Sequence, residues 1–284
     1  MREVVKNVSL KSLYAFPEHP FKVRDDEEQQ ELTESIRKYG VITPIIVRPR
    51  EQGGYEIISG HRRARACAKA GMETIPAFII EMDRETAVIC LVDSNLHREH
   101  ILPSEKAFAY KMKLDAIKQQ GKYIDNTSRQ NVGKLESADI VGRGANESGR
   151  TVQRYIRLTK LIPPILEMVD NEQIAFSPAV EISYLTEEEQ SDLLETMESE
   201  QATPSLAQAQ YMKRLSAEGK LDMDTIFEMM TEEKPNQKEQ VKLKKENIVK
   251  YFPKGYSTKQ MEQVILKLLA DWKRRRDRNR NNER

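Results

Sequence analysis

The sequence contains little cysteine, few aromatic residues and no long apolar stretch. Its 284 residues include two cysteines, Cys67 and Cys90, too few for a disulfide framework and without a CxxC pair for zinc. We therefore expect a reducing, cytoplasmic environment. No apolar run approaches the ~18 residues of a membrane-spanning helix, and the first residues are too polar for a signal peptide. With 6% aromatic and 32% charged residues, the composition indicates small cores beneath large solvated surfaces.

Net charge is also nearly absent, because 46 Lys and Arg oppose 45 Asp and Glu. The charges are unevenly distributed: residues 101–166 carry a net +6, residues 167–233 a net −14 and residues 234–284 a net +10. This alternation predicts separate modules, two of which attract polyanions. The acidic block is interpreted as solvated helix faces; the alternative is that it shields the basic regions of the same chain until a polyanion displaces it.

The periodicity of apolar residues predicts an α+β protein. The first hundred residues alternate β-rich segments with helical ones, and helices are predicted at 26–39, 62–70 and 84–95. After Pro103 the β-rich segments vanish, and helical patterns continue to about residue 215. Residues 218–246 are charged and poor in apolar residues, which suggests a linker. The predicted organisation is an α/β domain, an all-α domain, a linker and a helical basic C-terminal module, at 1–100, 101–217, 218–246 and 247–284.

Residues 137–158 predict a helix–turn–helix. Asn146 lies at the turn, where a residue that tolerates left-handed backbone is needed, and Ser148 caps the second helix. Arg and Gln side chains near the start of such a helix can read guanine and adenine in the major groove. An ordinary helical hairpin with a basic face is the alternative, which the regional charge of +6 disfavours. The candidate DNA-binding residues are Ser148, Arg150, Thr151, Gln153, Arg154 and Arg157.

Residues 55–71 place a glycine and three arginines where a strand meets a helix. Backbone N–H groups at a helix N-terminus favour anions, and Arg62, Arg63 and Arg65 would strengthen this attraction for a phosphate chain. Gly60 would let the backbone approach the ligand. Taken alone the motif is weak, and a basic surface turn is the simpler interpretation. The four histidines show no spacing typical of metal ligands.

Four segments, followed by the helix–turn–helix, closely resemble the ParB family of partition proteins over roughly residues 5–215. In order, they are PFKVR (20–24), GVITPIIVRP (40–49), ISGHRRARACAKAG (58–71) and SNLHREHILPSEKAFAY (94–110). The resemblance implies a ParB/sulfiredoxin-like N-terminal domain, a helical DNA-binding domain and a C-terminal module often used for dimerisation. It also implies a centromere-like DNA site, CTP-dependent clamping on DNA and a ParA-type ATPase as partner.

Position by position, the resemblance implies a site for CTP with Mg²⁺. Two residues depart from the family pattern: His61 stands where the family has Glu, and Ser94 replaces the Glu of a Glu-Asn pair associated with the metal and hydrolysis. Asp93 is only a possible substitute, so nucleotide binding is expected rather than efficient hydrolysis. Sulfiredoxin activity is excluded, because Gly60 occupies the catalytic Cys position. The candidate nucleotide-binding residues are Arg24, Thr43, Gly60, His61, Arg62, Arg63, Ser94, Asn95 and Arg98.

The C-terminal module resembles plasmid-borne or conjugative-element members of the family. Residues 256–276 form a predicted helix, capped by Ser257, with one apolar stripe. The stripe either pairs with a second chain or packs within its own module. The basic end is expected to contact phosphates without reading sequence. Its candidate DNA-binding residues are Lys273, Arg274, Arg275 and Arg276.

The predicted function is that of a nucleoid-associated, homodimeric partition protein that binds DNA sequence-specifically and responds to CTP. A transcriptional regulator of the same fold without nucleotide gating is the alternative. A ParB-like nuclease is least favoured, because no cluster of carboxylates for a two-metal site stands out near the basic turn. Enzymatic activity is expected to be at most a weak CTPase.

Overall fold

The computed structural model describes residues 5–22, 25–98, 100–124, 133–231, 251–253 and 258–282. The chain divides into two compact units, Met1–Glu232 and Glu233–Arg284. Among the described residues, no helix combines the length and apolar character needed to cross a bilayer.

The first unit begins with a five-stranded mixed sheet in the order β1-β5-β3-β4-β2. β1 runs antiparallel to β5, β5 parallel to β3, β3 antiparallel to β4, and β4 parallel to β2. Ile45, Val47 and Ile75 are fully buried in its core. The strands are β1 (Val5–Ser9), β2 (Leu13–Tyr14), β3 (Ile45–Pro49), β4 (Tyr55–Ser59) and β5 (Thr74–Ile79).

Three helices alternate with the strands along the chain: α1 (Glu27–Tyr39) before β3, α2 (His61–Lys69) before β5 and α3 (Arg84–Asn95) after β5. The carboxylates of Asp26 and Asp83 accept backbone N–H bonds in the first turns of α1 and α3, at 2.8 and 2.7 Å. These caps fix where the two helices begin, because they satisfy N–H groups that have no partner within the helix.

The remainder of the described chain is helical. In the first unit the helices are α4 (Pro103–Ile124), α5 (Gly133–Arg143), α6 (Gly149–Arg157), α7 (Pro163–Asp170), α8 (Phe176–Ile182), α9 (Glu187–Glu200), α10 (Leu206–Ala217) and α11 (Met223–Thr231). Besides the core of the sheet, this unit has two buried clusters, one joining α3–α6 to the Phe16 and Phe21 loop, the other mainly within α7–α11. The second unit contains α12 (Thr258–Asn282).

The α+β fold class predicted from the sequence is confirmed: a mixed α/β N-terminal region is followed by helices. The linker expected at 218–246 is wrong where α11 forms, because Ile226, Met229 and Met230 are buried against the neighbouring helices. The polar segment from Gly121, whose composition suggests a loop, begins as helix, since α4 continues to Ile124. The proposed cap Ser257 lies outside the described residues.

Candidate functional site

The site is built around the turn from β4 into α2. Gly60 caps α2 with φ of +104°, a left-handed backbone that favours glycine. A Cβ at this position would lie 2.5 Å from Ile45 Cγ2, so any larger residue would collide with the sheet core. Since the first N–H groups of a helix have no partner within it, the turn presents donors suited to an anion.

The residues predicted to bind nucleotide meet at this turn. A cleft of about 450 Å³ lies beside α2 and is bordered also by Glu28, Leu32 and Ser59. Thr43 does not line the cleft, but its carbonyl accepts a hydrogen bond from the Arg63 guanidinium. Arg24 lies outside the described residues. The predicted residues that line the cleft are Gly60, His61, Arg62, Arg63, Ser94, Asn95 and Arg98.

The arginines of α2 are held by partners that the sequence did not reveal. Arg62 Nη1 lies 2.9 Å from Glu28 Oε2, and its Nε donates to Gln29 Oε1 at 3.1 Å. Gln29 Nε2 returns a bond to the Arg62 carbonyl at 3.0 Å. Arg65 does not line the cleft; it pairs with Asp25, as does Lys69. The acids at the start of α1 therefore offset the cost of placing cations at the start of α2.

Arg63, unlike Arg62, is anchored by its guanidinium to backbone carbonyls. Its Nη1 donates to the Pro44 carbonyl at 2.8 Å, and burial lowers the pKa of its guanidinium from the ordinary value. Arg98 lies 5.6 Å from the centre of the Phe21 ring, and burial and the charge of Arg62 lower its pKa. Such partly desolvated cations interact more strongly with an incoming polyanion than fully solvated ones do.

A second histidine, His19, packs on His61. The ring centres are 4.0 Å apart with the planes tilted by 60°. His19 Nδ1 is 2.7 Å from the Phe21 carbonyl, so in the neutral ring this nitrogen is the donor. Burial, aided by His19 and Arg98, lowers the pKa of His61 to about 3. His61 therefore lines the cleft as a neutral imidazole, at the position where the family pattern has a carboxylate.

The hydrolysis-related positions carry no available carboxylate. Ser94 Oγ donates to the Leu91 carbonyl at 3.0 Å, and Asn95 Nδ2 donates to the same oxygen at 2.8 Å. Asp93, the possible substitute for the missing Glu, pairs with Lys113 at 2.5 Å and is not among the cleft residues. Within the described chain, no group of three or more His, Cys, Asp or Glu side chains could hold a metal. The described residues of the cleft thus combine arginines with no cluster of carboxylates suited to a metal.

Helices α5 and α6 form the predicted helix–turn–helix. Asn146 adopts a left-handed φ of +56°, and Ser148 Oγ accepts the Thr151 N–H at 3.2 Å. A Cβ on Gly142 would lie 2.2 Å from the Glu147 carbonyl oxygen, so the turn closes only over glycine. Tyr110 Oη donates to Glu147 Oε2 at 2.9 Å, which fastens the turn to α4.

The predicted DNA-reading residues divide into two groups. Ser148, Arg150 and Gln153 are exposed, and Thr151 is half-buried beside the cap. Arg154 Nη2 donates to Ser177 Oγ at 2.9 Å, and its guanidinium lies 4.8 Å from the Phe176 ring centre.

The Arg157 guanidinium lies 3.9 Å from the centre of the Tyr184 ring. In the basic C-terminal segment, Lys273 and Arg274 are exposed on α12, and Arg274 lies 3.2 Å from Asp271. The side chains of Arg275 and Arg276 lie outside the described residues.

The ParB N-terminal domain model matches residues 1–96. The nucleoid occlusion protein of Listeria innocua is 38% identical over 181 residues, which cover 63% of this chain and 57% of that protein. The counterpart from Geobacillus sp. strain WCH70 is 30% identical over 218 residues, covering 76% and 71%.

Two solved structures of the chromosome-partitioning protein ParB from Caulobacter crescentus, both truncated at the C-terminus, are also similar. The complex with the centromeric parS site has 20% identity and a TM-score of 0.45, covering 74% of this chain and 98% of that one. The complex with CTP-γ-S has 23% identity and a TM-score of 0.32, covering 65% and 94%.

The fold and the cleft define a ParB/sulfiredoxin-like α/β domain joined to a helical region with a helix–turn–helix. The chain belongs to the ParB family. The chain spans about three fifths of the length of the relatives it matches: 57% of the Listeria innocua protein and 61% of its counterpart from Listeria monocytogenes.

Proposed function

We propose that this protein binds double-stranded DNA at a specific site and responds to CTP bound in the cleft beside α2. It acts as a homodimer at the nucleoid, with a ParA-type ATPase as partner in DNA segregation. The observation that carries the proposal is the helix–turn–helix of α5 and α6. Its second helix exposes Arg150 and Gln153 near the N-terminus, where side chains reach base edges in the major groove.

Substitution of Arg150 tests the DNA assignment. Loss of one Arg–guanine contact costs about 1–3 kcal/mol, so Arg150→Ala should weaken binding to the preferred duplex by about tenfold to a hundredfold. Binding to a scrambled duplex should change much less. The control Lys118→Ala removes one cation from the exposed side of α4. Equal losses in the two variants, or full specificity in Arg150→Ala, would contradict the assignment.

The cleft is proposed to hold the CTP triphosphate at the start of α2, with Arg62, Arg63 and Arg98 as cationic contacts. The support is the convergence of these residues on a turn that only glycine allows. Calorimetric titration with CTP, UTP, ATP and GTP should show preferential CTP binding. Arg62→Ala should abolish it, whereas Arg65→Ala, on the same helix but paired with Asp25, should not.

Binding without efficient hydrolysis is proposed for this nucleotide. Mg²⁺ prefers oxygen ligands, and a phosphate-bound ion would here obtain them from the nucleotide and water rather than from a free carboxylate of the cleft. The observation behind this is the pairing of Asp93 with Lys113 and the amide at Asn95. Phosphate release should stay near background for the wild type, and Ser94→Glu should raise it.

A chromosomal role is the second candidate, because the curated relatives are named nucleoid occlusion proteins. The plasmid or conjugative type stays a prediction. Chromatin immunoprecipitation of the tagged protein distinguishes the roles: a cluster of sites beside its own gene, with a ParA-type partner, supports partition. Sites dispersed over the chromosome support nucleoid occlusion. Promoter sites bound without any effect of CTP would instead favour a transcriptional regulator.

A further inference from the structure

The cationic face of α6 continues beyond the helix onto Tyr184. Positions 150, 153, 154 and 157 share one face, because residues three and four apart are neighbours on a helix. Arg157 ends this face; its guanidinium lies 3.9 Å from the centre of the Tyr184 ring, and Nη2 donates to the Ser183 carbonyl. Tyr184 itself is 47% exposed.

Lys213 of α10 contacts the same ring. Its Nζ lies 3.6 Å from the Tyr184 ring centre and 2.8 Å from Glu181 Oε2. The block 167–233 carries a net charge of −14, and its three cations are Lys213, Arg214 and Lys220. One of these few cations therefore lies against an exposed aromatic ring that also contacts the proposed DNA-reading helix.

We propose that Arg157, Tyr184 and Lys213, here called the Tyr184 stack, form a second DNA contact that binds the phosphate backbone beside the site read by α6. This inference rests on the proposed DNA binding and adds the surface that extends it. With Glu181 counted, the stack carries a net positive charge of one. Its partner is the sugar–phosphate backbone, since the cations lie on an aromatic ring at the end of α6 rather than at the N-terminal positions that reach base edges.

The stack is pre-organised for this task. Cations held over an aromatic ring lose little further side-chain freedom when a phosphate arrives, so more of the electrostatic attraction appears as affinity. The opposing charge is Glu181, whose side chain is 21% exposed and remains beside Lys213. Its removal should therefore strengthen DNA binding, a direction that a purely structural clamp does not require.

The salt dependence of binding by the full-length protein tests the proposal. The probes are a fluorescent duplex carrying the preferred site, selected from a random library, and a scrambled duplex of equal composition. Each lost phosphate contact reduces the slope of log affinity against log salt by about 0.9. Lys213→Ala should show this reduction with both duplexes, and its affinities for the two should fall by the same factor. Lys220→Ala, which removes an exposed cation paired with Glu218, is the matched control and should keep the wild-type slope.

Three further variants separate binding from folding. Tyr184→Phe keeps the ring and should bind DNA as the wild type does. Tyr184→Ala should reduce the slope of log affinity against log salt by the same amount as Lys213→Ala. Glu181→Gln should bind both duplexes more tightly. An unchanged salt-dependence slope in Lys213→Ala, or an equal reduction in Lys220→Ala, would overturn the proposal that the Tyr184 stack contacts DNA. Wild-type binding without sequence preference would overturn the proposed site-specific function alone, because the slopes still test phosphate contacts. Absence of any DNA binding would overturn both.

Discussion

The guanidinium of Arg62 lies 2.9 Å from the Glu28 carboxylate, so the cation expected to hold phosphate is already paired. The side chains are 29% and 69% exposed, and such surface pairs contribute at most about 1 kcal/mol. A nucleotide must share or replace this contact. Glu28 thereby sets a modest barrier to anion binding in the cleft.

Glu28→Gln should consequently raise CTP affinity by about two- to fivefold, the range given by a surface pair of about 0.4–1 kcal/mol. The gain should shrink as salt is added, because screening already weakens the competing pair. Isothermal titration at two salt concentrations measures both effects. Glu31→Gln removes an exposed charge from the same helix and should leave the affinity unchanged. Equal gains in both variants would show a general charge effect instead.

The pH dependence of stability should report the buried His61. Its pKa is about 3 in the folded protein, against about 6.5 when unfolded, so the unfolded state binds more protons between these values. Stability is therefore complete above pH 6.5 and is lost as the pH falls towards 3. Between pH 7 and 5 the loss due to His61 should be about 2 kcal/mol. Urea unfolding at both pH values measures it.

His61→Gln should flatten this dependence, because it removes the titrating group. His97→Gln, which removes an exposed imidazole, is the control and should keep the wild-type slope. His19, whose pKa burial also lowers, contributes in the same direction. A wild-type profile in His61→Gln would contradict the assignment of the low pKa to this residue.

Local sequence signals predicted the elements of the site well and its long-range partners poorly. The Gly60 turn and the Ser148 cap could be predicted, because glycine conformation and N-caps depend on neighbouring residues. The pairing of Arg62 with Glu28 and the packing of His19 on His61 join segments 34 and 42 positions apart. Spacing along the chain carries no information on such contacts. The helix α11 was missed because its short apolar segment is followed directly by the charged residues 232–246, with which it was grouped as a linker.

Alanine substitutions at two glycines, Gly142 beside the turn of the helix–turn–helix and Gly121 in α4, should change the free energy of unfolding in opposite directions. Gly142→Ala places a Cβ 2.2 Å from the Glu147 backbone oxygen, and such overpacking costs about 1–3 kcal/mol. Gly121→Ala lies in α4 with nothing within 4 Å of the added Cβ, so it should stabilise by about 0.5–1 kcal/mol. Chemical denaturation gives both values. Destabilisation by Gly121→Ala, or none by Gly142→Ala, would contradict the close packing of Gly142 against this turn and the open surroundings of Gly121.

The apolar stripe of α12 should mediate the proposed homodimer. Leu268 and Leu269 are 63% and 54% exposed in a single chain, although burying each of these side chains would contribute about 1.5–3 kcal/mol. Sedimentation equilibrium should give twice the mass of the 32.9 kDa chain. The double variant Leu268→Lys, Leu269→Lys should be monomeric, because the lysines of the two chains would repel each other across the interface. Gln263→Lys adds a cation at an exposed position outside the stripe and should remain dimeric. A dimer that survives the double substitution would place the interface elsewhere in the chain.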